Sequence, residues 1–518
     1  MSGLLKSLLT TGLALLGRGT TTAPLSRHEA YKGAEVHRLN KNWQPEHRSG
    51  DSAIADSIPM LVPRIRDLCR NDAVVGRAKK TLRTLAIGPG IATFAAAMLD
   101  IETPNDDFNF ESDTWWERWA EDEADAEGKR SWAELQQDLW DEMVEEGNGF
   151  LLRCDDDDPA RSVPLCYQLL EAEQLDRSKN RPREGQQNKI VAGIEVDALN
   201  RPVQYWFYGA HPLDALSPVG IESTPIPADR IIHCFVPSRP SMTSGVSWMA
   251  PLTQGAHDLD WYLGNELTAA AIGALLTLIH KRKTPGAGGL GIDDGTGETE
   301  DAYGNSLLKM GRGITAEIGL EDDIEVAEST RPNKDAKPFI ELLLRLQAMA
   351  AGISYVRLTG DYKATSYTAG RAAHLDDEAF IAPLRRMFGR RVCKVVRRAH
   401  TAQIIGLGRL TSVSAAQYNK QPFRWNAIEI QPPGREQLDP EGETDSAAAR
   451  IRTGQSTLAR EAGIRGENWR RIILQRKREI AFCKRHGVEL DFSKGASPPR
   501  GNQTQRDVTE SASANQGN

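Results

Sequence analysis

Residues 338–373 read PFIELLLRLQAMAAGISYVRLTGDYKATSYTAGRAA. Their first part places Phe339, Leu342, Leu346, Met349 and Ile353 on one stripe, the spacing of an amphipathic helix. From Arg371 to about Thr401 helical spacing resumes, with Arg385, Arg386, Arg390, Arg391, Arg397 and Arg398 giving a basic face. Between the helices lies a polar connection with glycines at both ends, Gly360 and Gly370. Glycine, lysine and hydroxyls beside a helix start suggest a phosphate cradle. A nucleotide-binding P-loop, however, needs G-x-x-x-x-G-K-[ST] after a strand. Lys363 follows Asp361 and Tyr362, the only upstream glycine is Gly360, and the preceding residues are helical. The ATPase reading fails on spacing and context. A contact with nucleic acid and a plain corner both remain open.

Upstream, residues 251–283 read as one long helix. Pro251 suits its first turn. Asp258, Asp260 and Glu266 lie toward its start, and His280, Lys281, Arg282 and Lys283 end it, which complements the helix dipole. Its uncharged run 267–279, LTAAAIGALLTLI, is too short for the roughly 20 residues of a membrane span and predicts a buried helix. Residues 286–328 then change character, with 10 glycines, 11 acids and 2 bases. They form an insertion hanging between two helices.

The 518-residue chain is long enough for two to four structural units. Its 26% charged and 40% hydrophobic composition is that of a folded soluble protein. The six cysteines are far apart without a C-x-x-C pair, and the ten histidines form no H-E-x-x-H, so neither a disulfide framework nor a metal is expected. The apolar leader 4–16 lacks a convincing cleavage site, and an amphipathic or disordered arm is expected instead.

Charge is unevenly spread around a net −7: residues 101–158 hold 21 acids and 4 bases, residues 450–486 hold 11 bases and 3 acids. Such blocks are usually solvated faces; in a self-assembling protein they are also candidate complementary surfaces. Asp155–Asp158 reads as a solvated turn rather than a cation site, because adjacent carboxylates in an extended loop cannot converge on one ion.

Residues 54–85 predict a helix stopped by Gly88-Pro89-Gly90. Residues 114–147 predict a helix pair holding Trp115, Trp116, Trp119, Trp132 and Trp140. Alternating stretches at 149–154, 163–169, 189–196, 202–208 and 231–236 predict a small antiparallel sheet. Residues 425–430 are strand-like. Two helices near 456–462 and 467–486 close the chain, with Gly463 and Gly487 as plausible caps. The fold class is α+β, predominantly helical. No G-x-S-x-G, metal signature or framed carboxylate pair appears.

Five blocks carry a family resemblance: RDLCRNDAVVGRAKKTLRTLAIGPGI (66–91), WWERWAEDEADAEGKRSWAELQQDLWDEMVEEGNGFLLRC (115–154), ADRIIHCFVPSRPSMTSGVSWMAPL (228–252), GISYVRLTGDYKATSYTAGRAA (352–373) and WNAIEIQPPGREQLDPEGETDSAAARIRTG (425–454). In this order, over roughly residues 30–490, the chain resembles lambda-type tailed-phage portal proteins. Two departures stand out: the turn Ile87-Gly88-Pro89-Gly90, and an acidic excess in 101–158 that makes partners of that surface less transferable.

The resemblance implies a portal fold: a mobile arm (1–50), an α+β wing (51–250), stem helices (251–283 and 337–358) around a clip (284–336), and a tunnel loop (359–370). A long basic helix returning to the wing (371–440), a helical crown (441–490) and a disordered tail (491–518) complete it. It implies a homo-oligomeric ring, a dodecamer, at one capsid vertex, made in the host cytoplasm and carried in the virion. Its partners would be double-stranded DNA held without sequence reading, terminase, a head–tail adaptor, and the major capsid and scaffold proteins, with no membrane and no cofactor. It implies no catalysis. The DNA-facing residues would be Thr359, Gly360, Asp361, Tyr362, Lys363, Ala364, Thr365, Ser366 and Tyr367. Lys363, Thr365 and Ser366 would offer donors to a phosphate backbone, with Asp361 keeping the contact weak. A smaller head or adaptor protein and a packaging enzyme are the competing classes. The long-helix pair with its insertion argues against the first, and the missing Walker A loop against the second.

Overall fold

The computed structural model describes residues 50–100, 103–215, 221–274, 278–282, 299–300, 306–307, 322–326, 336–363, 365–435 and 439–488, with a few positions in 38–49. Residues 1–49 form a contact unit of their own, and 50–518 form the other. In this second unit the chain opens with helices α1 (Gly50–Ala55), α2 (Ile58–Asn71) and α3 (Ala73–Ala86). The helix expected over 54–85 is therefore broken. Asp72 leaves the helical region and its Oδ1 accepts the N–H groups of Val74 and Val75 at 2.9 and 2.7 Å, capping α3. An aspartate prefers this role to a helix interior.

Strand β1 (Ala92–Ala95) follows, then α4 (Asp106–Arg118), a five-residue π turn (Trp119–Glu123) and α5 (Trp132–Glu146). Ser131 and Glu134 close a capping box at the start of α5, and Gly147 ends it at φ +86°. The tryptophan-rich pair is the heart of the main core. Trp116, Trp119, Trp132 and Trp140 are buried there with Tyr167, Phe388 and Val396. Trp116 and Trp119 lie 4.9 Å apart between ring centres, and the buried Trp119 Nε1 donates to Leu165 O at 2.8 Å. A Trp→Ala change in such a core costs about 3–5 kcal/mol.

The acidic helix α5 docks on the basic sides of α2 and α3. Arg83 reaches Asp141 at 2.9 Å, Lys79 pairs with Glu145, and Arg66 pairs with Glu146. Part of the acidic excess in 101–158 is thus balanced inside the chain.

The expected single sheet is two. Strand β2 (Gly149–Asp155) pairs antiparallel with β3 (Leu165–Leu170) and, on its other edge, with β8 (Ile231–Cys234). The second sheet runs β4 (Lys189–Val191), β5 (Ile194–Val196), β6 (Pro202–Tyr208) and β7 (Ser223–Pro227), over a smaller core of Phe150, Tyr205 and Phe207. The run expected as one strand over 189–196 folds back on itself. Ala192 at φ +46° and Gly193 at φ +82° make the turn, which only the pairing partners reveal.

Helix α6 (Thr253–Ala274) follows a 3-10 turn at Ala250–Leu252. The helix expected over 251–283 stops there: Leu278–Arg282 is a strand, β9. Two short strands, β10 (Thr299–Glu300) and β11 (Ser306–Leu307), pair with each other, and β12 (Asp322–Val326) pairs antiparallel with β9, Asp322 opposite Arg282 and Ile324 opposite His280. A ladder to a partner some forty residues away overrides local helix propensity. Among the described residues no helix is long and apolar enough to cross a membrane. Nor is α6 buried in the single chain: Leu267 is 72% and Trp261 69% exposed.

Next come α7 (Ala336–Ala351), α8 (Tyr355–Thr359), α9 (Tyr367–Phe388), a π turn (Gly389–Cys393) and α10 (Lys394–Gly406). After α11 (Ala415–Lys420) and α12 (Pro422–Trp425), strand β13 (Ile428–Gln431) pairs with β1, Ala92 opposite Gln431, which ties the two ends of the core. Helices α13 (Pro440–Arg452), α14 (Leu458–Ile464) and α15 (Trp469–Arg485) finish the described chain. Gly463 lies inside α14, and Gly466 at φ +76° makes the turn expected of it; Gly487 has φ +71°. Residues 491–518 and most of the 284–336 insertion lie outside the described residues.

Candidate nucleic-acid interface

The loop between α8 and α9 is built by two helix ends. Gly360, at φ +71°, terminates α8 in the left-handed conformation glycine adopts freely, and its N–H reaches Val356 O at 2.8 Å. Ser366 caps α9: its Oγ accepts from Ala369 N–H at 3.2 Å. The chain between turns twice more. Lys363 N–H donates to Asp361 Oδ1 at 3.1 Å, and Thr365 N–H donates to Tyr362 O at 3.1 Å. The polar residues are largely spent on shaping the backbone, and their unused atoms face outward.

Of the nine residues expected at this loop, Gly360, Asp361, Tyr362, Lys363, Ser366 and Tyr367 are exposed and clustered. Thr359 is the last residue of α8; its Oγ1 donates to Tyr355 O and accepts from Asp361 N–H. Thr365 is half-buried, with its methyl 3.6 Å from the Cβ position of Gly370. Ala364 lies outside the described residues. The loop ends at Ser366 rather than at residue 370, because the cap starts the helix earlier than the arginine pattern suggested.

What holds the loop was missed in the sequence. Asp377 on α9 is buried, and it accepts from Ser354 N–H at 2.7 Å and Ser354 Oγ at 2.8 Å while Arg357 sits 3.7 Å away. Arg357 also donates to His374 Nδ1. Ser354 and Arg357, and His374 and Asp377, are each three apart on helices, so each pair shares a face. That spacing on both sides of the loop was the available signal. The result is a clamp that fixes the ends of a short exposed loop.

The expected basic face of the following helices divides. Arg386, Arg390 and Arg398 are exposed, but Arg385 forks onto Glu378 at 2.9 and 3.1 Å. Arg397 is fully buried, 2.6 Å from Asp113 and 4.8 Å from the centre of Trp116. Burial pulls its guanidinium down to about 10 and drives the neighbouring His400 well below its ordinary value. These two arginines brace the core and cannot reach a ligand. Periodicity groups residues by face, and only the packing shows that part of this face is interior.

The loop offers one amine, two phenols and a hydroxyl on a fixed backbone, with no base-reading fork and no nucleophile–base pair. Glu171, Glu173 and His211 cluster elsewhere, but Arg66 already bonds Glu173 at 2.6 Å, so a cation occupies that position.

The profile of phage portal proteins of the lambda family matches residues 37–385. The chain belongs to the lambda family of phage portal proteins. The probable portal protein of Halomonas phage phiHAP-1 is 24% identical over 90% of this chain and 88% of its own length. Portal protein B of Escherichia phage lambda is 20% identical over 87% and 88%. A chain from the neck of an empty GTA particle aligns over 83% of this chain and 98% of its own, with a TM-score of 0.42 and 16% identity. The portal family is structural rather than catalytic, and the α+β, mainly helical fold described above is a portal fold. In this portal chain Gly360, Asp361, Tyr362, Lys363 and Ser366 form an exposed polar element between α8 and α9.

Proposed function

We propose that this portal protein assembles with copies of itself into a closed, dodecameric ring at one capsid vertex, and that DNA passes through the ring during packaging and ejection. The observation that carries the reading is the pairing of two features on one helix system. Helices α6 and α7 leave large apolar side chains uncovered, Met349 at 75% exposure among them, and a clamped polar loop follows directly. Faces of that kind are covered in an assembly. A loop repeated once per subunit at one level of a channel then multiplies a weak contact.

Lys363, Ser366 and the phenols of Tyr362 and Tyr367 would meet phosphates without reading bases, and Asp361 would keep the contact loose enough for sliding. The acidic 284–336 insertion, leaving by one helix and returning by another, would dock terminase and later an adaptor. The chain itself would hydrolyse nothing. Negative-stain microscopy of the purified protein tests the ring: particles with a central hole are expected, and a uniformly monomeric protein at micromolar concentration would overturn the reading.

A further inference from the structure

The last helix is incompletely used by its own chain. Among its described residues α15 buries none, although Ile473, Leu474, Ile480 and Phe482 are apolar. Its first turns lie against α4, where Arg471 pairs with Glu117 and stands 5.4 Å over the Phe94 ring. Between the two helices runs a groove of about 880 Å³. The α4 wall is acidic, with Asp106, Asp107 and Glu117, and Phe110, 57% exposed, sits among them; the α15 wall carries Arg470, Arg471 and Arg478, of which Arg471 is already paired with Glu117.

Two stripes on these helices match in spacing and oppose in charge. On α4, Asp106, Phe110, Asp113 and Glu117 fall at i, i+4, i+7 and i+11, one face of a helix. On α15, Ile473, Lys477, Ile480 and Lys484 repeat the same offsets. Asp106, Asp107, Lys477 and Lys484 make no ion pair among the described residues. Lys477 is not part of the groove lining, and Lys484 lies about 9 Å beyond Arg478, the last residue of α15 that lines it. A straight helix cannot return Lys484 to its own groove.

We infer that the distal half of α15 from one copy docks in the groove of a second copy, setting Lys477 and Lys484 against Asp106 and Asp107 and Ile480 against Phe110. Charge complementarity and the uncovered apolar residues on both sides select this occupant. A nucleic acid would answer the lysines but would leave Ile480 and Phe110 uncovered and would be repelled by the acidic wall. The contact is head-to-tail, the type that propagates around a ring, and in that respect it rests on the proposed ring. The two charge blocks seen in the sequence would then meet twice, once within a chain and once between chains.

Mixed subunits test it. One batch carries Phe110→Cys, the other Ile480→Cys, both in a Cys483→Ser background, and the mixture is mildly oxidised. A disulfide-linked dimer at least tenfold above either batch alone is expected. Lys477→Glu with Lys484→Glu should reduce it tenfold, and adding Asp106→Lys with Asp107→Lys on the partner should restore it to within threefold, with circular dichroism confirming folded variants. Visible rings without the crosslink would overturn this contact and leave the ring standing. A crosslink without rings would support the contact and overturn the ring. Unchanged crosslinking by the lysine reversals, together with loss of bound DNA, would assign the helix to nucleic acid and overturn the inference.

Discussion

Replacing Arg397 with methionine removes a charge that the core of this portal chain has enclosed completely. The guanidinium bonds Asp113 at 2.6 Å and Ser112 Oγ at 3.0 Å and stacks on Trp116. Taking one partner from a buried pair costs about 3–5 kcal/mol, because the other charge is left uncompensated. Asp113 retains some relief: its side chain is 21% exposed, and it keeps the Ala95 N–H at 2.8 Å. The lower end, about 3 kcal/mol, is therefore expected. With an unfolding entropy of about 2.1 cal/mol/K per residue over roughly 440 residues, that lowers Tm by about 3 °C. The assay is thermal unfolding at fixed protein concentration, since assembly itself shifts Tm. Adding Asp113→Asn to the methionine variant neutralises the stranded carboxylate, so the double variant should lie above the single by about 1–2 °C. A single variant within 0.5 °C of the parent, or a double variant less stable than the single, would refute the assignment of Arg397 as a charge-paired brace.

Burial raises the carboxyls of Asp141 to about 6 and Glu142 to about 7. The folded state then holds protons that the unfolded chain releases, so this contribution is present at low pH and fades as pH rises from about 4 to 7. Glu142→Gln should accordingly raise stability at pH 8, by about 2 kcal/mol, and change little at pH 4.5; urea titrations at both values decide it. Gly352 has φ +75°, and an added Cβ would lie 2.3 Å from the Phe380 ring. Gly352→Ala should therefore cost about 2–3 kcal/mol, read as a lower urea midpoint. Asp377→Ala opens the clamp beneath the loop, and limited trypsin digestion should cut after Lys363 several-fold faster, with the global Tm falling by only a few degrees. Lys363→Glu, on an exposed loop, should leave Tm within 1 °C but reduce the yield of stably filled heads; equal yields would show that the loop only turns a corner.

Much of the architecture was open to reading before any coordinates. Helix periodicity located α7 to within two residues at each end, and the tryptophan cluster marked the main core. The strand at 202–208 was placed residue for residue, and the ordered blocks pointed to the portal family. The exposed character of Gly360, Tyr362, Lys363 and Tyr367 followed from their chemistry. Where the reading failed, the deciding interaction was distant. Strand β9 looked helical because its partner, β12, lies some forty residues on, at the far end of the glycine-rich insertion. Strand β1 was not read at all, because its partner is β13, over three hundred residues later. Neither pairing has any trace in a local window.

The sequence alone determined the quantities that depend on near neighbours: which segments are amphipathic, where helices are capped, which motifs are missing, and which family the ordered blocks resemble. The tertiary structure decided which charged residues are tools and which are structural members. Arg397 and Arg398 are adjacent and chemically identical, yet one braces Asp113 inside the core and the other faces solvent. Likewise Asp377 became the clamp of the loop only when α8 folded against α9. Burial and partnership are properties of packed elements, set by desolvation and by contacts among residues far apart in the chain. No periodicity along a single helix contains them.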